Sequence, residues 1–403
     1  MSFADPIAPA EFAGSRRFRV HNQVAVSLVG VGAAAIVFTG FVSLAANRLV
    51  SGHPVMLWNA APAGLTVVMA VLAAIVLGLA VARPCVPVHR LSALAAALLL
   101  IAILAAAGEA AVRLTTGGPA LATVSFGPGF WVSLGCASLA LTDALQRARA
   151  GAALLLFVVG ALLACFAALA EAGVFNALSL AREYANRSDV FAAALLRHVM
   201  LVGGAIVPAL LIGVPLGLAA LRRKSAEEPI FAALNLLQTV PSIALFGLLI
   251  VPLSALAEAV PSLGALGIGG VGPAPAIIAL TLYALLPIAR NTLAGLGGVS
   301  PAAIDAGRGM GMTRRQLFWR VEVPLALPVL LAGLRIVLVQ TIGLAVIAAL
   351  IGAGGLGTFV FDGLGQYATN LVLLGALPAI LLALGVDFLL RLMTGGMRRH
   401  LAP

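Results

Sequence analysis

The chain is poor in charge, in cysteine and in aromatic side chains. Only 9% of its 403 residues are charged and 62% are hydrophobic, whereas a soluble domain carries roughly 25% charged residues. This composition excludes a soluble globular protein and predicts an integral membrane protein. The three cysteines, Cys85, Cys136 and Cys165, include no CxxC pair, so the sequence favours neither a disulfide framework nor a cysteine-based metal site.

Enzyme motifs are also missing. No GxxxxGKS or GxxxxGKT phosphate-binding motif occurs, and no nucleophile lies beside a base at a recognisable spacing. The stretch Gly352 to Gly357 satisfies GxGxxG, but no strand precedes it and Asp362 follows too early to bind a ribose. A bent outer gate or vestibule at the end of a membrane span is the better interpretation. With only five scattered histidines, the sequence predicts no metal ligand, no catalytic residue and no cofactor in this chain.

Long apolar runs account for most of the sequence. A bilayer span needs about 20 mostly apolar residues, and ten runs meet this requirement. They cover residues 24–46, 61–82, 91–108, 128–146, 151–171, 197–221, 230–252, 273–295, 328–351 and 370–391. The sequence therefore predicts an all-α polytopic membrane protein with about ten transmembrane helices.

Lys and Arg are distributed unequally between the connections. The net charge of +10 comes from residues scattered between apolar runs, which favours membrane topology over nucleic-acid binding. If both termini are cytoplasmic, the cytoplasmic segments hold 19 of the 24 Lys and Arg residues. The five outside are Arg48, Arg113, Arg182, Arg187 and Arg197. The positive-inside rule therefore predicts that both termini lie in the cytoplasm.

The two halves of the chain differ in their content of prolines and polar side chains. Residues 1–190 contain five spans with few turn signals, which predicts an accessory bundle. In residues 191–403, prolines and polar side chains interrupt the spans, and such breaks are tolerated where freed backbone groups face protein or a water-filled route. The candidate side chains of a translocation pathway are Gln238, Thr239, Ser242, Tyr283, Asn291, Gln340 and Thr341. Each fits an interhelical hydrogen bond of ~0.6–2 kcal/mol equally well.

A polar segment at residues 300–328 interrupts the apolar second half. Pro301 can start a helix and Gly311 can end it. Thr313 can cap a second helix, and the prolines at the end of the segment are expected to close it. Two short helices outside the bilayer suit docking onto another protein. An amphipathic loop whose arginines contact lipid phosphates is the alternative.

The spacing of this segment resembles the EAA loop of ABC importer permeases. That consensus reads EAA, three residues, Gly, nine residues, and Ile-x-Leu-Pro. The corresponding residues here are Asp305-Ala306-Gly307, Gly311 and Val321 to Pro324. Asp305 keeps the charge of the glutamate, whereas Gly307 in place of alanine is expected to loosen the first helix by roughly 1 kcal/mol.

Four stretches in order resemble the glycine betaine, choline and carnitine uptake permeases of the ProW and OpuB type. They are QTVPSIALFGLL at 238–249, ALTLYALLPIARNTLAGL at 279–296, GMGMTRRQL at 309–317 and IAALIGAGGLGTFVFDGL at 347–364. The resemblance covers residues 190–395, and the five preceding spans resemble the longer YehY-like branch of that group.

The resemblance implies a permease subunit of an ATP-driven importer in a bacterial plasma (inner) membrane, with a C-terminal core of five transmembrane helices. Its cargo is a small osmoprotectant, glycine betaine or a related quaternary amine, which an extracytoplasmic binding protein delivers. Two permease copies or paralogues form one pathway. Cytoplasmic ATPase subunits bind ATP and Mg, so this chain is not itself an enzyme.

In such importers the EAA loop inserts into a groove on the ATPase, and closure of the ATPase dimer tilts the spans. The coupling residues implied here are Asp305, Ala306, Gly307, Gly311, Arg314, Phe318, Trp319 and Pro324. Asp305 is expected to pair with an ATPase arginine, while Phe318 and Trp319 anchor in an apolar pocket.

Two alternatives stay open. Methionine-type permeases share the five-span core, so the cargo is alternatively methionine or another small amino acid. A stand-alone secondary transporter or channel belongs to a different class, and it needs ionisable groups at mid-bilayer to couple an ion gradient. The acidic residues here cluster at span ends instead.

Overall fold

A computed structural model of the chain describes residues 20–47, 50, 52–116, 122–265 and 267–401. The described residues are mostly α-helical, with one small antiparallel sheet. The predicted N-terminal tail before residue 20 and Arg48 lie outside them. The chain divides into two compact units, one within Met1–Ala46 and Ser51–Ala177 and the other within Asn47–Val50 and Leu178–Pro403.

The described part of the first unit contains helices α1 (Gln23–Phe38), α2 (Leu57–Ala60), α3 (Ala63–Val81), α4 (Val86–Thr115), α5 (Pro128–Arg147) and α6 (Ala152–Glu171), and strands β1 (Val42–Ala45), β2 (His53–Val55) and β3 (Thr123–Phe126). The second unit contains α7 (Ser179–Ala185), α8 (Ser188–Arg222), α9 (Lys224–Thr239), α10 (Ser242–Ala259), α11 (Pro261–Ala265), α12 (Pro273–Gly297), α13 (Pro301–Gly309), α14 (Arg314–Leu317), α15 (Val323–Ile347), α16 (Gly357–Gly365) and α17 (Thr369–Leu401). A π-helical turn (Phe318–Glu322) joins α14 to α15, and a 3-10 turn (Ala348–Ile351) follows α15.

Eight helices in the described part of the chain are long and apolar enough to cross a bilayer. They fall in eight of the ten predicted spans, and the 16-residue α1 and the more polar α5 occupy the other two. The predicted all-α membrane fold is therefore confirmed. The span predicted at 230–252 is divided between α9 and α10 by a break at Val240 and Pro241. The residue before a proline is pushed out of the helical region, which explains the break.

The first predicted span, residues 24–46, is wrong at its C-terminal end. α1 stops at Phe38, and the chain continues as β1, which lies between β2 and β3. Gly40 lies at this change of direction because a Cβ there would be 2.6 Å from the Cβ of Pro54. The backbone groups that leave the helix are satisfied by antiparallel pairing with both neighbouring strands.

Asn22 connects α1 to α5 in the first unit. Its Oδ1 accepts the N–H of Ala25 at 3.2 Å and so caps α1, while its Nδ2 donates to Oδ2 of Asp143 at 2.7 Å. The Nε of Arg147 also donates to that carboxylate, at 2.9 Å. The acidic group that makes α5 less apolar therefore has two partners within the bundle.

Small residues bring the helices of the second unit close together. The spacing Gly213-x-x-x-Gly217 permits close packing, and a Cβ at Gly217 would lie 2.5 Å from the carbonyl oxygen of Ala289 on α12. Similarly, a Cβ at Gly333 of α15 would lie 2.5 Å from the Cβ of Asn291 on α12. The core around these helices includes Leu201, Phe246, Leu280, Val337 and Ile342.

Candidate functional site

The first of the two short helices predicted within residues 300–328 is α13, and the second, α14, is the first turn of a longer helix. α13 ends in a Schellman motif, in which the N–H of Met312 bonds to the carbonyl of Gly307 at 3.2 Å and the N–H of Gly311 to that of Arg308 at 2.9 Å. Gly311 has a φ of +76°, a left-handed conformation that glycine adopts without steric cost. The predicted helix end is therefore confirmed.

Thr313 caps α14, again as predicted. Its Oγ1 accepts the N–H of Gln316 at 3.3 Å, and Oε1 of Gln316 accepts the N–H of Thr313 at 2.9 Å. The two residues thus form a capping box. Gln316 is absent from the predicted residues, although the Thr-x-x-Gln spacing carries the signal. We refer to α13 and α14 together as the coupling pair.

The predicted end of this segment at Pro324 and Pro328 is wrong. Arg314–Ile351 is one helix of 38 residues, which contains a π-helical turn just before Val323. The N–H of Val323 bonds to the carbonyl five residues back, at Phe318. A proline ring ordinarily clashes with the carbonyl four residues before it, and the wider π turn makes room for Pro324.

Gly307 lies where α13 packs on α14. A Cβ there would lie 2.6 Å from Cδ1 of Leu317 and 3.7 Å from Cγ2 of Val321. Leu317 itself is buried. The expected cost in helix propensity is therefore accompanied by a packing role, because the missing side chain allows the two short helices to touch.

One face of the coupling pair is exposed. Met310 is 70% exposed, and Trp319 of the adjoining π turn is 61% exposed. Nη1 of Arg308 lies 3.3 Å from Oδ1 of Asp305, a surface pair of small energetic weight. Ala306 and the arginines at 314, 315 and 320 are exposed on the same segment. Trp319 is thus accessible to a partner, and Met310 is a second exposed apolar side chain that the sequence reasoning missed.

Phe318 packs against its own chain. It is half-buried, and its cluster includes Leu221 of α8, Leu296 of α12 and Ala326 of α15. The guanidinium carbon of Arg222 lies 5.5 Å from the centroid of its ring. Phe318 therefore packs at the ends of three membrane helices. Of the two predicted anchors, Trp319 is the more accessible.

Three of the predicted pathway side chains meet at the break between α9 and α10. Nε2 of Gln238 donates to the carbonyl of Tyr283 at 2.9 Å, and the Tyr283 hydroxyl donates to the carbonyl of Val240. Oγ1 of Thr239 donates to the carbonyl of Leu236 at 2.7 Å. The first two bonds tie the break to α12.

Of the other four predicted pathway residues, Ser242 starts α10 directly after the break, and the remaining three lie on α12 and α15. Asn291 and Thr341 donate to carbonyls of their own helices, at 2.7 and 2.8 Å. Gln340 is exposed and Ser242 is half-buried. The structure therefore does not gather the predicted set into one cluster.

Asp387 of α17 pairs with two arginines. Nε of Arg391 lies 2.7 Å from its Oδ2, a pair that the spacing of four residues on one helix favours. Nε of Arg335 on α15 lies 3.2 Å from Oδ1. The sequence predicts that Arg335 extends toward the cytoplasmic surface, but in the structure it links α15 to α17.

The far end of α15, opposite the coupling pair, carries the GxGxxG stretch. Three glycines there have φ between +73° and +87°, and we call residues Gly352–Leu356 the glycine turn. Nε of Arg197 on α8 donates to the carbonyl of Ala353 at 3.3 Å. A Cβ at Gly355 would lie 3.3 Å from Nδ1 of His198. The stretch is a bent turn packed on α8, and its role as an outer gate or vestibule stays a prediction.

Two families match consecutive parts of the chain. Residues 20–181 match the N-terminal domain of the ABC transporter permease YehY. Residues 209–399 match the binding-protein-dependent transport system inner membrane component family. The first match falls almost wholly in the first unit, and the second falls within the second unit.

Named relatives are similar to about half of the chain. The osmoprotectant import permease protein OsmW of Salmonella typhimurium is 43% identical over 48% of this chain and 85% of the relative. The carnitine transport permease protein OpuCB of Listeria monocytogenes is 42% identical over 48% and 82%, and the choline transport system permease protein OpuBB of Bacillus subtilis is 38% identical over 50% and 88%. The resemblance seen in the sequence is therefore confirmed. This chain belongs to the family of binding-protein-dependent transport system inner membrane components, the multi-pass permeases of ABC importers.

Proposed function

We propose that this permease imports a small osmoprotectant, glycine betaine or a related quaternary amine, at the expense of ATP. The observation that carries the proposal is the coupling pair, a capped helix pair with an exposed face, fixed to the ends of α8, α12 and α15. The names of the relatives, which give osmoprotectants, carnitine and choline as cargo, support this class of substrate.

The partner proposed for the coupling pair is a cytoplasmic ATPase. Met310 and Trp319 present apolar side chains that fit a desolvated pocket, the usual form of an interface hot spot. Asp305 exchanges its weak surface bond to Arg308 for an arginine of the ATPase at little cost. The exposed Arg314 adds positive charge at the rim. ATP and Mg bind in the ATPase under this proposal, and the permease hydrolyses nothing itself.

The long helix Arg314–Ile351 provides the route by which the ATPase acts on the membrane. Phe318 and its cluster fix the start of this helix to α8 and α12. When the ATPase dimer closes, the coupling pair moves with it and tilts the membrane helices, a rigid-body switch between inward- and outward-facing states. Gly307, Gly311 and Pro324 serve this mechanism by holding the shape of the pair rather than by touching the ATPase.

The proposed pathway lies in residues 191–403, between two permease copies or paralogues. Thr239 and Gln340 are exposed and line it together with Ser242. The remaining four predicted side chains shape the pathway through their hydrogen bonds to backbone carbonyls. A binding protein delivers the cargo at the extracytoplasmic face.

The proposed orientation places both termini and the coupling pair in the cytoplasm. The excess of Lys and Arg in the connections on that side supports it. Residues 1–190 are proposed as an accessory bundle beside the permease core.

The test is uptake of labelled glycine betaine, choline and methionine into vesicles that contain the permease, its ATPase and its binding protein. We expect ATP-dependent uptake of a quaternary amine and faster ATP hydrolysis with loaded binding protein. Uptake of methionine alone would replace the proposed cargo by the amino-acid alternative. Uptake without the ATPase would contradict the importer and leave a secondary transporter.

Substitution of two exposed aromatic residues tests the role of the coupling residues. Trp319→Ala is expected to weaken ATPase binding about 30-fold, the loss of a hot-spot side chain worth about 2 kcal/mol. Tyr367→Ala is the matched control, because Tyr367 is 95% exposed in the loop after α16, away from the coupling pair. Equal ATPase affinities of the two variants, measured by titration in detergent, would remove Trp319 from the docking surface.

A further inference from the structure

The first unit contains an apolar cavity of about 220 Å³ between α1, α3, α4 and α5. It extends along α3 from Thr66 to Val76, about 15 Å at the helical rise per residue. Small residues create the space, because larger side chains would fill the bundle at the same positions. Examples on its wall are Gly32, Ala73, Ala96, Ala137 and Ala140. The space is therefore elongated along the helices.

The wall of this cavity offers little to a polar occupant. The hydroxyl of Thr66 donates to Pro62 at 3.3 Å and that of Ser133 to Phe130 at 3.0 Å, in each case to a carbonyl of the same turn. Cys136 supplies only a thiol, which is a weak donor, and no charged side chain lines the cavity. A buried water needs two to four polar partners. The wall therefore selects hydrocarbon over water and over polar ligands.

The cavity reaches the surface of the unit beside α1 and α3. Four of its wall residues are exposed, namely Ala33, Val37, Trp58 and Ala70. α3 has a mean hydropathy of 2.7 and is long enough to cross a bilayer. The medium outside the opening is therefore the hydrocarbon of the membrane, which supplies the acyl chains of lipids at high local concentration.

We propose that this cavity binds one acyl chain of a bilayer phospholipid. The elongated shape, the apolar wall and the opening toward the membrane all match a hydrocarbon chain. An unfilled cavity leaves its wall atoms without van der Waals partners, and an inserted chain restores those contacts. The site selects the chain and not the headgroup, because its wall carries no charge. This inference is independent of the cargo that the permease transports.

Two variants, each with one alanine replaced by phenylalanine, test the site by native mass spectrometry. The full chain is relipidated with dioleoyl phosphatidylglycerol, and the lipids retained per molecule are counted. Ala73→Phe places a ring inside the cavity, whereas Ala164→Phe places the same ring on the exposed surface of α6. We expect the first variant to retain one lipid fewer than the wild type and the second to retain the same number. Equal retention by all three proteins would overturn the proposal.

Two native cysteines allow a test that needs no substitution. Cys136 lines the cavity, Cys165 lies on α6 outside it, and both are half-buried. In a detergent with a rigid steroid hydrophobe, phosphatidylglycerol at ten times its dissociation constant is expected to slow alkylation of Cys136 by N-ethylmaleimide about tenfold. Cys165 should react at an unchanged rate. Equal slowing of alkylation at both thiols would report annular lipid only and would contradict the site. No slowing at Cys136 would also contradict it.

Discussion

The two ends of the helix Arg314–Ile351 are built in different ways. At the coupling end, the helix starts with a capping box and contains a π turn, and the buried Leu317 packs against α13. At the far end, the helix tightens into a 3-10 turn and enters the glycine turn, where three glycines adopt left-handed conformations. Side-chain packing and capping set the first end, whereas the second changes direction through left-handed glycine conformations and packs on α8. We propose that this helix transmits motion from the coupling pair and that the chain changes its bend at the glycine turn.

The largest effect is expected just beyond the glycine turn. A Cβ on Gly357 would overlap the carbonyl of Val346 and lie 2.9 Å from the Cβ of Ala349. Crowding against backbone atoms costs about 3 kcal/mol, so Gly357→Ala is expected to lower the thermal unfolding temperature strongly. Gly365→Ala at the other end of α16 meets no atom within 4 Å and should leave that temperature unchanged. Similar unfolding temperatures for both variants would show that the tight packing at this end is unimportant.

A smaller effect is expected at the packed end. Leu317 is 4% exposed beneath α13, and truncating such a side chain near a surface costs about 2 kcal/mol. Leu317→Ala is therefore expected to lower both the unfolding temperature and the stimulation of ATP hydrolysis by loaded binding protein. Leu325→Ala, at a site 41% exposed on the same helix, should change neither quantity. If the two leucine variants behave alike, α13 is not held by this contact.

The smallest effect concerns the choice of glycine at residue 307. Alanine there improves helix propensity by about 1 kcal/mol, but its Cβ would lie 2.6 Å from Cδ1 of Leu317. We expect Gly307→Ala to destabilise the wild type slightly and to stabilise the Leu317→Ala background by about 1 kcal/mol. Thermal unfolding of the four proteins in this double-mutant cycle measures the coupling. The same sign in both backgrounds would mean that the two residues do not compete for space.

The sequence predicted those features whose signals are local. Gly311 and Thr313 have short-range partners that fall at fixed spacings, so a helix end and a helix start could be placed without tertiary information. The close approach at Gly217 was also predictable, because small residues one turn apart form a groove. The length of the apolar runs predicted most of the membrane helices, because this signal is also local in the sequence.

Features that depend on distant partners were not predictable. Pro324 reads as a helix breaker, and only the π turn before it keeps the helix continuous. The strand β1 lies inside a predicted apolar span because its pairing partners come from later segments. Arg335 finds its carboxylate on another helix, at Asp387. For Gln238 and Tyr283, the sequence left a pathway role and a structural role equally open, and the structure supplies backbone partners for both.

We expect the coupling pair and α15 to move as one body while the chain bends at the glycine turn. Spin labels on Arg308 and Val329 span the packed end, and labels on Leu350 and Leu364 span the glycine turn; all four positions are exposed. Distance distributions are measured by pulsed electron spin resonance in the full complex, without nucleotide and with trapped ATP. We expect an unchanged distance distribution for the first pair of labels and a shifted distribution for the second pair. A shift in the first pair as large as that in the second would contradict it.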